Sequence, residues 1–202
     1  MRDDHYPAGT VRALLDTDFV STPTAAALKR RLEPVAVHDG LFDESGIALL
    51  VAICDRLIPQ GDRAEPIDIA ARLHRQIATG AGDGWRYATL PQDKAAWRAG
   101  VAGVDESARA LNGRSFVELE DDERDAVLVA VQRGTAPGAT WSSLDPKRWF
   151  EELLAATCGV YYSHPLAQEE IGYVGMADGH GWDQVGIGAR AAHEPVALPT
   201  SE

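Results

Sequence analysis

Residues 149–176 combine a dense amphipathic pattern with many aromatic side chains and turn residues, and we expect the other helical segments of the chain to pack around this stretch. In its first half, side chains of one helical face recur at i, i+3, i+4, i+7 and i+11. They are Phe150, Leu153, Leu154, Thr157 and Tyr161. Asp145 supplies an N-cap before them, and Pro146 suits the first helical position. The pattern predicts an amphipathic helix that runs to Tyr162 and is followed by a turn at residues 163–165.

A second, more apolar helix is predicted after Asp43. Asp43 is a favourable N-cap, and Phe42 and Ile47 on either side of it have the spacing of a hydrophobic staple. Apolar side chains then cover so much of the helix circumference that we expect this helix to be central. Pro59 ends it, because proline disfavours the helical conformation in the residue before it.

Four more segments show helical spacing. They are residues 10–32, expected as two short helices separated near Pro23, and residues 66–79, 91–112 and 120–133. Gly113 and Gly134 occupy the position where a left-handed residue closes a helix. Gly100 and Gly103 lie inside the third segment, where each costs about 1 kcal/mol relative to alanine. We expect these two glycines to allow another helix to approach closely.

No segment shows the alternation that is typical of a strand, so the sequence predicts an all-α protein with a single helical domain. The predicted divisions are an N-terminal helical arm at residues 1–40, the helical domain at 41–176 and an extended tail at 177–202. Glycines punctuate the tail, which has little periodicity. We expect it to be irregular and to lie across another surface.

The formal net charge of −12 opposes binding to nucleic acid and to anionic lipid surfaces, so neither partner is expected. No run of 18 apolar residues occurs, and no membrane-spanning segment is predicted. The two cysteines, Cys54 and Cys158, each lie in an apolar helical stretch. Two interpretations are open for them: two buried small hydrophobic residues, or one disulfide in an oxidising compartment.

Patterns that catalysis would require are scarce. The six histidines are scattered, and no zinc-binding, P-loop or Gly-x-Ser-x-Gly pattern occurs. Residues 186–191 match Gly-x-Gly-x-x-Ala, but a dinucleotide site needs a strand before that motif and a helix after it. Glu169 and Glu170 are a candidate acid–base pair, although adjacent glutamates are more often a solvated helix face. We therefore expect no catalytic, cofactor-binding or metal-binding residue in this chain.

Aromatic side chains are concentrated in the last third of the chain. They are Trp141, Trp149, Phe150, Tyr161, Tyr162, Tyr173 and Trp182. We assign Trp149, Phe150 and one tyrosine to the core. Tyrosine is favoured at interfaces, because its ring can be buried while its hydroxyl stays hydrated. The candidate partner-contact residues are Tyr161, Tyr162, His164 and Tyr173, and His164 is also expected to shape the turn before Pro165.

Several short motifs together carry a resemblance to a known family. They are Leu41-Phe42 with Leu49 and the helix end Asp55-Arg56-Leu57-Ile58-Pro59, Phe116 and Leu119 before an acidic helix start, Trp149-Phe150, Gly159-Val160-Tyr161-Tyr162-Ser163-His164-Pro165, and Ile171-Gly172-Tyr173-Val174-Gly175. In this order, over residues 41–176, the chain resembles the gluconate 2-dehydrogenase subunit 3 family. That family supplies the small subunit of flavin-dependent sugar and sugar-acid dehydrogenases.

The resemblance implies a non-catalytic subunit that binds and stabilises a large flavoprotein of the glucose-methanol-choline type. FAD is then expected in that partner and not in this chain, and a cytochrome c subunit is left open as a third component. Family members commonly carry a twin-arginine export signal, whereas residues 1–16 lack even the apolar region of a signal peptide. Two compartments are therefore open: the cytoplasm, or the periplasm if the protein is exported with its partner.

Two other hypotheses remain beside this one. The first is a helical scaffold or regulatory protein that has no flavoprotein partner. The second is a stand-alone enzyme that uses His164, or the Glu169–Glu170 pair, as acid and base. Loss of a large flavoprotein in the absence of this chain favours the accessory subunit, and loss of activity on replacing these side chains favours the enzyme.

Overall fold

The computed structural model describes residues 6–35, 40–61, 63–82, 84, 86–176 and 184–199. Within these ranges the chain forms α-helices and three short 3₁₀ helices, and no strand. The α-helices are α1 (Thr22–Leu32), α2 (Glu44–Leu57), α3 (Ile69–Thr79), α4 (Asp93–Asn112), α5 (Asp121–Arg133), α6 (Pro146–Tyr162) and α7 (Pro165–Glu170). The predicted all-α fold class is confirmed.

The chain divides into two compact units. We call the first the terminal unit; it comprises Met1–Pro34, Gly61–Ile67 and Tyr161–Glu202. The second, the central unit, comprises Val35–Gln60 and Asp68–Val160. The division at residues 40 and 176 that the sequence suggests follows chain order, and it stays a prediction.

Helix α2 lies at the centre of the central unit and contacts α3, α4 and α5. The Asp43 side chain caps it by accepting a hydrogen bond of 2.9 Å from the Gly46 N–H, as predicted. Leu50 and Ile53 are fully buried. The helix ends one residue before Ile58, whose N–H closes the last turn on the Cys54 carbonyl. The prediction of a central, strongly apolar helix is confirmed.

Two glycines of helix α4 lie against tryptophan rings, which is the close approach that the sequence suggests. A Cβ atom at Gly100 would lie 1.9 Å from the Trp149 indole, and one at Gly103 would lie 2.7 Å from the Trp141 indole. The two indoles also contact each other, with ring centroids 5.7 Å apart. Glycine is therefore required at both positions because the rings occupy the space of a side chain.

Two predicted helix starts are wrong. Residues 10–20 form one 3₁₀ helix (Arg12–Leu14) and turns, and the α-helix of this region begins only where the Ser21 side chain accepts from the Thr24 N–H. Helix α3 begins at Ile69 and not at Pro66, because the Asp68 side chain accepts from the Ala71 N–H at 2.9 Å. In both cases a capping side chain determines the start.

Helix α6 begins where the sequence predicts, with the Asp145 carboxylate accepting from the Lys147 and Arg148 N–H groups. The predicted buried face is largely confirmed, since Phe150, Leu153, Thr157 and Tyr161 are buried. Leu154 departs from this prediction because 38% of its surface is exposed. The core assignment of Trp149, Phe150 and one tyrosine is also confirmed.

In the terminal unit, helix α1 contacts the short helix α7. Residues 184–199 contain two turns and no helix; the Ala189 N–H bonds the Gly186 carbonyl, and the Glu194 N–H bonds the Ala191 carbonyl. The predicted tail residues 177–183 and 200–202 lie outside the described residues.

Candidate functional site

Helix α7 and the turn that follows it carry most of the residues that the sequence singles out. His164 is its N-cap, and the His164 Nδ1 accepts a hydrogen bond of 3.3 Å from the Leu166 N–H. At the other end, the Gly172 N–H bonds the Glu169 carbonyl and the Tyr173 N–H bonds the Gln168 carbonyl. This pair of bonds closes a Schellman motif. The motif requires the positive φ of +67° at Gly172, which glycine adopts without strain.

Glu169 fixes helix α7 to the N-terminal segment of the same unit. Its buried carboxylate accepts hydrogen bonds from the backbone N–H groups of Gly9 (2.8 Å) and Arg12 (2.9 Å). The Arg12 guanidinium donates two more, from Nε at 3.1 Å and from Nη2 at 3.0 Å. Burial raises the pKa of Glu169, but these donors outweigh burial and hold the pKa below its ordinary value of 4.5.

Glu170 takes part in a second polar network. Its Oε2 accepts from the Arg63 guanidinium and from the Tyr161 hydroxyl, the latter at 2.6 Å. The Arg63 Nη2 also donates to the Tyr161 oxygen at 3.1 Å, and the guanidinium carbon lies 5.6 Å from the centre of the Tyr161 ring. The two adjacent glutamates therefore hold two different arginines of the terminal unit.

The expectation that these glutamates form a solvated helix face is wrong for Glu169, of which only 4% is exposed. Its burial follows from four donors on residues 9 and 12, which compensate the loss of hydration. No sequence signal near Glu169 indicates this arrangement, because Arg12 lies 157 positions away. Both carboxylates are engaged in structural contacts.

The four candidate partner-contact residues divide into two pairs by exposure. Tyr161 and His164 are buried, whereas Tyr162 is 48% exposed and Tyr173 is 46% exposed. Tyr161 and Tyr162 are in contact, edge to face, with ring centroids 5.1 Å apart. The His164 N–H bonds the Tyr161 carbonyl. Tyr162 and Tyr173 thus offer ring surface for contact, while Tyr161 and His164 support the backbone beside them; the interface assignment itself stays a prediction.

The contact residues that the sequence suggests do not include Ile171, although 48% of its surface is exposed in the turn after α7. We call Tyr162, Ile171 and Tyr173 the α7 surface. The turn that carries two of them is buttressed, because a Cβ at Gly172 would lie 2.7 Å from the Tyr6 ring. The α7 surface therefore consists of large exposed side chains on a backbone that is fixed by hydrogen bonds and packing.

The described residues hold no group of three or more histidine, cysteine, aspartate or glutamate side chains placed to bind a metal ion. Among the same residues, no helix has the length and apolar character to cross a membrane. Cys54 and Cys158 are both free thiols, so the structure does not contain the disulfide that the sequence left open. Burial, followed by the nearby Asp55 and Asp68 carboxylates, raises the pKa of the Cys54 thiol to about 12.

The fold and the α7 surface define a class: an acidic helical protein that presents exposed tyrosine and isoleucine side chains on a rigid turn. Comparison with known families gives the identity within that class. The chain matches the family Gluconate 2-dehydrogenase subunit 3 over residues 44–186, more than half of its length, and it belongs to that family. The resemblance found in the sequence is confirmed. No curated protein and no solved structure gives a significant match.

The family is described as a dehydrogenase subunit, so the chain is a member of a family of components of a multi-subunit enzyme. The matched range includes helices α2 to α7 and the whole α7 surface. It ends at residue 186, inside the described part of the tail.

Proposed function

We propose that this chain is the non-catalytic small subunit of a flavin-dependent dehydrogenase. It binds and stabilises a large subunit of the glucose-methanol-choline type, which holds FAD and oxidises a hydroxyl group of a sugar or sugar acid. The observation that carries the proposal is the family match over residues 44–186.

The α7 surface supports a binding role. Tyrosine and other large side chains dominate the energetics of protein interfaces, because they bury much area for little loss of conformational freedom. The backbone that carries Ile171 and Tyr173 is already fixed by the Schellman motif and by the Tyr6 ring. A surface that is ordered before binding loses less entropy when the complex forms.

The environment of the candidate acid–base groups also favours binding over catalysis. The Glu169 carboxylate accepts four hydrogen bonds from its own chain, and Glu170 is shared between Arg63 and Tyr161. His164 caps helix α7 through its Nδ1. A general base must reach the proton that it abstracts, and these groups are committed to structural partners.

Stabilisation follows from mass action. A subunit that binds only the folded large subunit lowers the free energy of that folded state, and so favours flavin retention and solubility.

The test is expression of the large flavoprotein subunit of the same organism with and without this chain. The proteins are then separated by size-exclusion chromatography, and both the protein absorbance and the visible absorbance band of the flavin are recorded.

We expect a yellow complex that contains both chains, and an insoluble or flavin-depleted large subunit when this chain is omitted. A large subunit that is soluble and fully active alone, beside a separate colourless peak of this chain, would contradict the proposal. That result would favour the scaffold or regulator. Replacing His164, Glu169 and Glu170 one at a time in an active complex tests the enzyme hypothesis, which requires loss of turnover without loss of assembly.

A further inference from the structure

The tail segment 184–199 is fixed in its middle and exposed at its ends. Ala191 is buried, and the His193 ring lies 4.0 Å from the Phe19 ring, measured between centroids. Before this fixed point, Val185 is 87% exposed and Ile187 is fully exposed. Two large apolar side chains in one short exposed segment offer an apolar patch that a partner surface can cover.

A tight turn displays Ile187. The Ala189 N–H donates to the Gly186 carbonyl at 3.0 Å, so Ile187 and Gly188 are the two central residues of the turn. Gly188 has a φ of +72° and Ile187 does not have a positive φ, which is the pattern of a type II turn, whose third position favours glycine. No atom lies within 4 Å of the place that a Cβ at Gly188 would occupy, so conformation and not crowding explains the glycine.

Charge indicates what covers this segment. Residues 184–199 contain one arginine and one glutamate, and so have no formal net charge, whereas the whole chain carries −12. Repulsion between two such acidic chains opposes a second copy as the partner, and it equally opposes an anionic membrane. An uncharged apolar segment on an acidic protein therefore fits an apolar pocket on a different protein.

Most of the segment lies outside the range that matches the family. The match ends at residue 186, so Ile187 and the residues after it lie beyond the part of the chain that matches the family. The α7 surface lies within the match. A contact outside the shared region is suited to distinguishing one large subunit from another.

We infer that Ile187, displayed by the turn at residues 186–189, inserts into an apolar pocket on the large dehydrogenase subunit and contributes to the selection of that subunit. This inference rests on the proposed function. The turn presents the side chain in one position before binding, which lowers the entropy lost on insertion.

The test is a size series at this position, with affinity for the purified large subunit measured by titration calorimetry. Each buried methylene contributes about 0.8 kcal/mol, so Ile187→Val should weaken the affinity about fourfold and Ile187→Ala about fiftyfold. Ile187→Asp should weaken it more than a hundredfold, since a carboxylate would have to enter the pocket. Because Ile187 is fully exposed in the free chain, circular dichroism and thermal unfolding of the free variants should match the wild type.

Gln184→Asp is the matched control, because it adds the same charge to the same segment without removing an apolar group. It should bind within about threefold of the wild type, as expected for a rim position. Wild-type chain that fails to bind the large subunit would overturn the proposed function. Wild-type chain that binds, with the Ile187 series equally tight, would overturn only this inference. The inference also fails if sedimentation shows that Ile187 substitutions abolish self-association and leave the large subunit bound.

Discussion

The two compact units of this chain use different interactions in their interiors. The centre of the central unit is mainly apolar, with Leu50 and Ile53 buried and the Trp149 indole against Gly100. The terminal unit also contains a buried charge: the Glu169 carboxylate accepts hydrogen bonds from the Arg12 guanidinium and from the backbone N–H groups of Gly9 and Arg12. The stability of apolar packing depends on the shape and volume of the side chains. The stability of the Glu169 contacts depends also on whether the carboxylate is ionised.

The units also differ in the sequence separation of their key contacts. In the central unit, the cap formed by Asp43 and Gly46 spans three positions, and the ion pair between Arg56 and Asp125 spans 69. Glu169 and Arg12 are 157 positions apart. The terminal unit therefore exists only when both ends of the chain are present, and we expect it to be the more sensitive of the two to single polar substitutions.

The largest expected effect is that of Gly100→Ala in the central unit. The new methyl group would lie 1.9 Å from the buried Trp149 indole, which has no room to move without displacing Trp97 or Trp141. Overpacking of this kind should lower the free energy of unfolding by about 3 kcal/mol. Urea unfolding followed by tryptophan fluorescence measures this effect.

Gly159→Ala is the matched control for this substitution. Gly159 also lies inside a helix, but no atom is within 4 Å of its ideal Cβ. The gain in helix propensity should raise the free energy of unfolding by about 0.5–1 kcal/mol. If both substitutions destabilise equally, the close contact with Trp149 does not govern the packing of the central unit.

The next effect is that of Glu169→Gln in the terminal unit. The amide cannot accept from all four donors, and Arg12 loses its countercharge. Hydrogen bonds to charged groups contribute about 1.5–3 kcal/mol, so we expect a local loss of about 2 kcal/mol. Hydrogen exchange at the Gly9 and Arg12 amides should become faster, while the amides of α2 stay protected.

Glu65→Gln tests whether the N-terminal segment is held by the buried hydrogen bonds of Glu169 or by any negative charge near Arg12. Glu65 lies 3.9 Å from the same guanidinium, but its side chain is 71% exposed. An exposed pair at this distance contributes little, so the loss should stay below about 0.5 kcal/mol. Equal acceleration of exchange in both variants would show that long-range charge, and not the buried hydrogen bonds, holds the N-terminal segment.

The pH dependence of the same contact should separate the two units further. The pKa of Glu169 is lower in the folded protein than its ordinary value of 4.5. Its contribution is therefore fully present above about pH 4.5 and is lost as the pH falls through the folded pKa. The protection of the Gly9 amide, which is its exchange rate relative to the intrinsic rate at the same pH, should fall below pH 4.5 more steeply in the wild type than in Glu169→Gln. Parallel pH profiles would mean that the carboxylate is not ionised in the folded state.

The contrast between the units also explains what the sequence could predict. Helix ends in the central unit follow from residues close in the chain: Gly113 and Gly134 take the left-handed conformation that closes α4 and α5. Gly100 and Gly103 indicated a close approach, although the sequence did not reveal that tryptophan rings fill the space. Local capping and periodicity carry this information because the interacting groups are neighbours.

The terminal unit was harder to predict for the same physical reason. Nothing around Glu169 indicates a partner near residue 12, so burial of this charge could not be inferred. Tyr161 and Tyr162 have the same chemistry, and which of them is buried depends on where Arg63 and Glu170 lie. The sequence therefore grouped the candidate contact residues in one segment, where their role as contacts stays a prediction, and their exposure came only from the structure.

The smallest expected effect on stability belongs to the α7 surface. Tyr162→Ser and Tyr173→Ser remove half-exposed rings, so each should change the free energy of unfolding by no more than about 1 kcal/mol. Each should nevertheless weaken binding to the large subunit about tenfold, because truncating a tyrosine at the centre of an interface removes more than 1 kcal/mol of binding free energy. Tyr87→Ser, a tyrosine of the central unit that stacks on Arg148, is the control and should bind as the wild type does. Weakening by the control alone would move the interface to the central unit, whereas unfolding of the two test variants would mean that the α7 surface supports its own unit and not a partner.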